Sequence, residues 1–180
     1  MAVPFNQLKE GEIILFVTPA EKYLSTNLEI LKYYLNKQKD YCVYVTVNRP
    51  YASLITILKR EKVATEKLFV IDAITPIGGA VQRAGNAVFI GSPQALTNIS
   101  IAVTSAVQSL PKGKRFLFFD TVSALIVYNN TGSVTKFTHF LITKMREWDI
   151  TGVLISLEKE TDEKMLSQLT QFCDRCINIK

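Results

Sequence analysis

Short apolar runs alternate along this chain with stretches in which apolar residues return every three or four positions. The runs are Ile13-Ile14-Leu15-Phe16-Val17, Cys42 to Val47, Leu68 to Asp72, Ala87 to Ile90, Arg115 to Asp120, Gly152 to Ser156 and Cys176 to Ile179. Runs this short and this continuously apolar suit strands covered on both faces of a parallel sheet. Between them, Leu24, Leu28, Leu31 and Leu35 recur at helical spacing, with Ser25, Thr26 or Asn27 available to support the first turn. Leu54, Ile57 and Leu58 give a helix after Pro50 its apolar face, and Ser92-Pro93 opens a helix that runs to Leu110. Phe137, Phe140, Leu141 and Met145 mark a fourth helix after the loop Asn129-Asn130-Thr131-Gly132, and a fifth spans about Asp162 to Phe172. The glycines and proline between Pro76 and Gly85 read as a loop. Strand and helix in regular alternation predict an α/β fold: a doubly wound, mainly parallel sheet with helices on both faces, as one domain over residues 1–180.

Composition agrees with that expectation. A chain of 180 residues and 20.3 kDa is the size of one domain, and 48% hydrophobic with 21% charged residues excludes a disordered chain. Met1 to Glu12 has no charged-then-apolar leader, and no apolar stretch reaches membrane-spanning length, so no membrane association and a cytoplasmic location are expected. A formal net charge of +5 and a pI near 9.1 suit nucleic acid or an acidic partner. No arginine-rich helix or aromatic-basic pattern accompanies the charge, so nucleic-acid binding stands only as an alternative. Cys173 and Cys176 form a C-x-x-C, but one further cysteine and one histidine cannot complete a zinc site at ligand spacing, and no metal is expected. His139, the single histidine, falls opposite its helix's apolar stripe or at its margin and reads as a solvent-facing or boundary residue, not a catalytic base. Gly78-Gly79 lacks the helix and lysine that would make it an anion cradle.

Ligands of open parallel sheets bind at the carboxyl ends of the strands, which directs attention to the tips after Val17, Val47 and Asp120. Phe116 to Phe119 closing in Asp120 has the form of a Walker B strand, whose terminal carboxylate supports magnesium; a turn or cap role for Asp120 fits the residues equally. The order of segments sharpens this. Leu68–Thr75, Ser92-Pro93-Gln94-Ala95-Leu96, Arg115–Leu125, Trp148–Ser156 and Asp174-Arg175-Cys176-Ile177 look like their counterparts in the RecA superfamily. From Ile13 to Ile179 the chain resembles the KaiC-like and RadA-like ATPases of that superfamily.

The resemblance implies a phosphate loop after the first strand. Such a loop reads G-x-x-x-x-G-K-[ST], because glycines let backbone N–H groups curl around phosphates while the lysine neutralises them and the hydroxyl holds magnesium. The corresponding stretch here is Thr18-Pro19-Ala20-Glu21-Lys22-Tyr23-Leu24-Ser25. Both glycines are gone, Leu24 takes the lysine's place and only Ser25 survives. Pro19 removes a donor, and Glu21 brings negative charge toward the phosphates. After Val47, where the resemblance implies an acidic pair activating water, the chain has Asn48-Arg49-Pro50, neither of whose polar members can act as a general base. The expectation is a noncatalytic module with a degenerate Walker A loop, no catalytic residue and no cofactor. The alternative is weak Mg-ATP binding through Lys22, Ser25 and Asp120.

A different feature suggests how such a module would act. Residues 84–111 contain no charged side chain. On the helix within them, Leu96, Ile99, Val103, Ala106, Val107 and Leu110 form the expected core face. The other face carries Thr97, Asn98, Ser100, Ile101, Thr104, Ser105 and Gln108 where a solvated helix would carry Lys and Glu. Interface cores are depleted in charge. Thr97, Asn98, Ile101, Thr104, Ser105 and Gln108 are therefore candidates for contact with another copy or another protein, with burial under the chain's own loops as the alternative.

Overall fold

A computed structural model describes residues 3–161 and 163–180. Met1 and Ala2, part of the segment read as lacking a leader, and Asp162, the expected start of the fifth helix, lie outside the described residues. Eight strands form one sheet: β1 (Ile13–Thr18), β2 (Tyr41–Thr46), β3 (Leu68–Asp72), β4 (Gln82–Ala84), β5 (Ala87–Phe89), β6 (Arg115–Asp120), β7 (Thr151–Leu157) and β8 (Arg175–Asn178). Their order across the sheet is β4-β5-β3-β2-β6-β7-β1-β8, and every pairing is parallel except β4 with β5. The helices are α1 (Tyr23–Leu31), which continues as a π-helical segment Lys32–Gln38, then α2 (Tyr51–Arg60), α3 (Leu96–Ser109), α4 (Thr131–Glu147) and α5 (Glu163–Phe172).

Period-2 alternation explains why the central strands carry almost no polar residues. Ile13, Leu15 and Val17 of β1 face one side with Val43, Val45, Leu117, Phe119 and Leu154, where residues of α3, α4 and α5 cover them. Ile14, Phe16, Tyr44, Phe116, Phe118 and Val153 face the other side, under α1 and α2. Both faces are dry, so both must be apolar. The second layer is strongly aromatic: Tyr34 stacks on Phe116 with ring centroids 4.7 Å apart, and Tyr44 stacks on Phe118 at 5.0 Å. Gly152 has no side chain because Met145 Sδ and Ile13 Cδ1 would lie 2.7 and 2.8 Å from its Cβ.

Four details differ from the sequence-based expectations. Gln82–Ala84, read as loop, forms an edge strand whose residues are all exposed, so nothing in its polarity marks it. The third helix begins at Leu96, not at Ser92-Pro93; Ser92 instead holds a turn, its Oγ accepting from Gln94 N at 3.1 Å. The buried face of α1 is Thr26, Asn27, Ile30 and Leu31, while Leu24 is exposed. On α4, Phe140 points outward and Val134, Thr138 and Ile142 join Phe137, Leu141 and Met145 inside.

Asn130 caps α4, its side chain accepting from Ser133 N at 2.8 Å. Asn130→Ala should therefore lower unfolding free energy by about 1 kcal/mol, read from the urea midpoint, with no change in m-value.

Candidate functional site

The carboxyl ends of β1, β2 and β6 meet beneath the start of α1. Asp120 closes β6 and is buried there. Strand alternation puts its side chain on the same face as Phe116 and Phe118, toward α1 rather than toward solvent. Its Oδ1 accepts hydrogen bonds from the Tyr23 hydroxyl and from Asn27 Nδ2, the latter at 3.2 Å, and its Oδ2 accepts one from the Tyr44 hydroxyl. Tyr23 and Asn27 lie four residues apart on α1, so one helical face delivers both donors. This is why α1 turns Asn27 inward and Leu24 outward.

The loop following β2 adds a second tier. Asn48 Nδ2 donates to Thr121 Oγ1 at 3.2 Å, and Thr46 Oγ1 donates to the Arg49 carbonyl at 2.7 Å. Asp72 at the tip of β3 is equally enclosed and accepts from the backbone N–H groups of Tyr51, Ile74 and Thr75. It ties the start of α2 to its own turn. Burial pushes the Asp120 carboxyl above its ordinary value, against the lowering effect of its three hydrogen bonds and of Arg49. The Tyr23 and Tyr44 hydroxyls are held protonated by the same burial and by the neighbouring carboxylate. Asn27 Oδ1 is a buried acceptor with no hydrogen-bond partner among the described residues.

Lys22 and Ser25 are not brought to Asp120. Lys22 Nζ donates to the main-chain oxygen of Lys180, and Ser25 Oγ donates back to the Lys22 carbonyl at 2.9 Å on an exposed surface. The stretch between β1 and α1 is a 3-10 turn, Ala20–Lys22, entered from Pro19. The Lys22 N–H is spent on the Pro19 carbonyl at 3.0 Å. Beside this turn lies a cleft of about 260 Å³ whose walls include Glu21, Glu158, Lys159 and Glu160.

The α3 candidates all lie at or near the surface. Thr97, Asn98 and Gln108 are exposed, Thr104 and Ser105 are half-buried, and Ile101 is 60% exposed, so no loop of the described residues covers this face. Phe140 of α4, 43% exposed, borders a hollow of about 200 Å³ with Ser100, Ile101, Thr104 and Ser105. Val81 and Arg83 border a second hollow, about 150 Å³, on the other side of Ile101. His139 is exposed and packs its ring on Phe172 at 4.4 Å. Cys173 and Cys176 are free thiols; burial pushes the Cys173 thiol up to about 12. No cluster of three metal-ligating side chains occurs among the described residues, and none of their helices is long and apolar enough to cross a membrane.

The model of a family of unknown function, DUF7504, matches residues 25–179. The chain belongs to this family. No curated protein matches its sequence significantly. Among solved structures, a KaiC-like protein of Pyrococcus horikoshii is similar with a TM-score of 0.66 and 12% identity, over 99% of this chain and 79% of that one. The flagellar accessory protein FlaH of Methanocaldococcus jannaschii is similar with a TM-score of 0.65 and 13% identity, over 95% and 72%. A further P. horikoshii protein gives 0.67 and 16%, over 98% and 85%. With the parallel sheet, these likenesses establish a RecA-like α/β fold for this DUF7504 chain.

Sequence reasoning singled out Asp120 but not Tyr23, Asn27 or Tyr44. A tyrosine amid the apolar run of β2 and an asparagine on the apolar side of α1 were the available signals. Tyr44→Phe removes one donor to a buried carboxyl and should cost about 1–3 kcal/mol in chemical denaturation. Because the folded-state value of Asp120 is raised, its proton is held more tightly in the folded chain. Its contribution to stability is thus fully present below about pH 3.8 and is lost as pH rises through the folded value. The stability of the wild-type chain minus that of Asp120→Asn should accordingly fall as pH is raised from that point; a difference that climbs with pH contradicts the assignment.

Proposed function

We propose that this DUF7504 chain is a noncatalytic RecA-like module that works by protein association, pairing with a second copy through the outward face of α3 and α4. The observation that carries the first half is the enclosure of Asp120 by its own chain. A magnesium-bound triphosphate needs a wrapped row of N–H donors, a cation at the head of the first helix and a carboxylate open to the cleft. Here Pro19 has no N–H and the Lys22 N–H is already used. The Lys22 ammonium is turned to Lys180, and both Asp120 oxygens are turned to α1 and β2. In this reading the residues present do not fit the nucleotide, and the adjoining cleft, with three glutamates against the single Lys159, disfavours phosphate.

The second half rests on charge and shape. The chain carries a net charge of +5, which opposes pairing of two copies on average, whereas α3 and its flanks from residue 84 to 111 bear no charge, with Arg83 and Lys144 standing at the margins of the face. Ile101 stands between two hollows with Phe140 and Val81 at their rims, an arrangement in which each copy can seat the other's Ile101 about a two-fold axis. Solvating such an apolar strip is unfavourable, and its burial supplies the driving force.

Light scattering should give twice the 20.3 kDa chain mass for the wild type and the single-chain mass for Ile101→Glu, with unchanged circular dichroism. A monomeric wild type removes self-association. Calorimetric titration with Mg-ATP should show no binding tighter than about 1 mM. Tighter binding that depends on Lys22 or Asp120 returns the chain to the nucleotide binders.

A further inference from the structure

The excess positive charge of this chain falls within one stretch. Of its 21 basic and 16 acidic side chains, residues 32–67 hold 8 and 3, and the rest of the chain holds 13 of each sign. The fold gathers this excess at the end of the sheet where the strands begin. β3, β2 and β6 are neighbours, and they start level, Cys42 lying opposite Leu68 and Tyr41 opposite Arg115. The loops that enter them hold Lys62 and Lys67, Lys39, and Lys112 and Lys114 in turn. Neighbouring strands are about 4.8 Å apart, so the three loops set cations in a row about 10 Å long. Lys37 lies in the last turn of the π-helical segment beside them.

Two contacts fix the row. Asn36 joins the segment before β2 to the loop before β3, its Nδ2 donating to the Lys62 carbonyl and its Oδ1 accepting from Ala64 N, both at 2.7 Å. Lys67 Nζ donates to the Lys39 carbonyl at 2.6 Å and lies over the Tyr41 ring. The acidic side chains nearby leave most of the charge unanswered. Glu10 pairs with Lys114 and Glu61 with Arg60, Asp40 is buried, and Glu66, exposed beside Lys67, pairs with none of these cations. Lys37, Lys39, Lys62, Lys67 and Lys112 form no ion pair among the described residues, and all but Lys67 are exposed. A helix dipole is answered within the last turn, as Lys59 and Arg60 do for α2, and the loop lysines stand beyond it.

We propose that this row binds a linear polyphosphate chain through its phosphate oxygens alone. Lysine offers phosphate a point charge, whereas carboxylates and base edges favour the arginine fork. The arginines at this end are committed, Arg60 to Glu61 and Arg115 to the Val107 carbonyl. A nucleic-acid strand also needs ring faces on which its bases stack. Tyr33 is stacked on Phe5 with the Lys37 ammonium over its ring, and Tyr41 carries that of Lys67. Stable binding to a lipid surface takes an apolar anchor besides lysines. None of the exposed large apolar side chains, Leu24, Val81, Ile101, Val127, Tyr128 and Phe140, lies in these loops. The inference is independent of the association reading, since none of its lysines lies on α3 or α4.

Calorimetric titration of the whole chain with orthophosphate, tripolyphosphate and long-chain inorganic polyphosphate tests it. Saturable binding is expected, tightening with chain length and weakening at least tenfold as salt rises from about 50 to about 200 mM, with amide shifts at Lys39, Lys62 and Gly113. Lys39→Glu combined with Lys62→Glu should weaken it at least tenfold. Lys136→Glu combined with Lys164→Glu changes net charge equally at exposed positions of α4 and α5 and should weaken it less than twofold. Circular dichroism checks that both double variants fold; should the first not fold, Lys37→Gln combined with Lys112→Gln should lower affinity in the same direction. Oligodeoxythymidylate of equal phosphate count, polyglutamate and phosphatidylglycerol vesicles are titrated in parallel. No binding of polyphosphate, affinity independent of chain length, equal weakening by the two double variants, or tighter binding of any of the other three polyanions overturns the proposal.

Discussion

Three side-chain donors from two elements converge on one buried carboxyl group, and the upper end of this molecule is organised around that convergence. Asp120 cannot leave water without partners; Tyr23 and Asn27 of α1 and Tyr44 of β2 supply them. The same bonds pin the first helix against the two central strands. A RecA-like fold ordinarily leaves the space at this strand end for a ligand, as open parallel sheets do. Here the helix closes down on the strand end and its own hydroxyl and amide groups occupy the carboxylate.

That closure has a cost and a return. The loop between β1 and α1 loses backbone freedom, since Pro19 fixes φ near −67° and the Ala20–Lys22 turn uses the Lys22 and Tyr23 N–H groups. In exchange, β1, β2 and β6 are held at a common height with the Asn48–Thr121 contact above them. Asp120 is thereby made part of the core. Val81, Ile101 and Phe140 are three of the large apolar side chains that remain exposed, Leu24, Val127 and Tyr128 being others.

Much of this was legible from residue order alone, and the physical reasons divide cleanly. Strands covered on both faces write themselves as uninterrupted apolar runs, so β1, β2, β3, β6 and β7 could be read directly. The polar edge strand Gln82–Ala84 buries nothing and leaves no such signature. That Thr18–Ser25 holds no glycine, and that Leu24 rather than a lysine precedes Ser25, is likewise read without coordinates. Which groups meet Asp120 was not legible, because the contact of Tyr23 and Asn27 with it spans more than ninety residues and depends on helix rotation. Leu24 and Phe140 misled for one reason. Each fits the leucine or phenylalanine spacing of its helix, yet tertiary packing rotated Leu24 outward in favour of two hydrogen-bond donors and set Phe140 beside Ile101 at the surface.

Proton NMR of the two tyrosine hydroxyls tests the central claim most directly, for a hydroxyl bonded to a buried carboxyl exchanges slowly with water and resonates downfield. The account predicts two such resonances, one lost in Tyr23→Phe and the other in Tyr44→Phe, and both unmoved by millimolar Mg-ATP. Hydroxyls that exchange freely with solvent, or resonances displaced when Mg-ATP is added, contradict it.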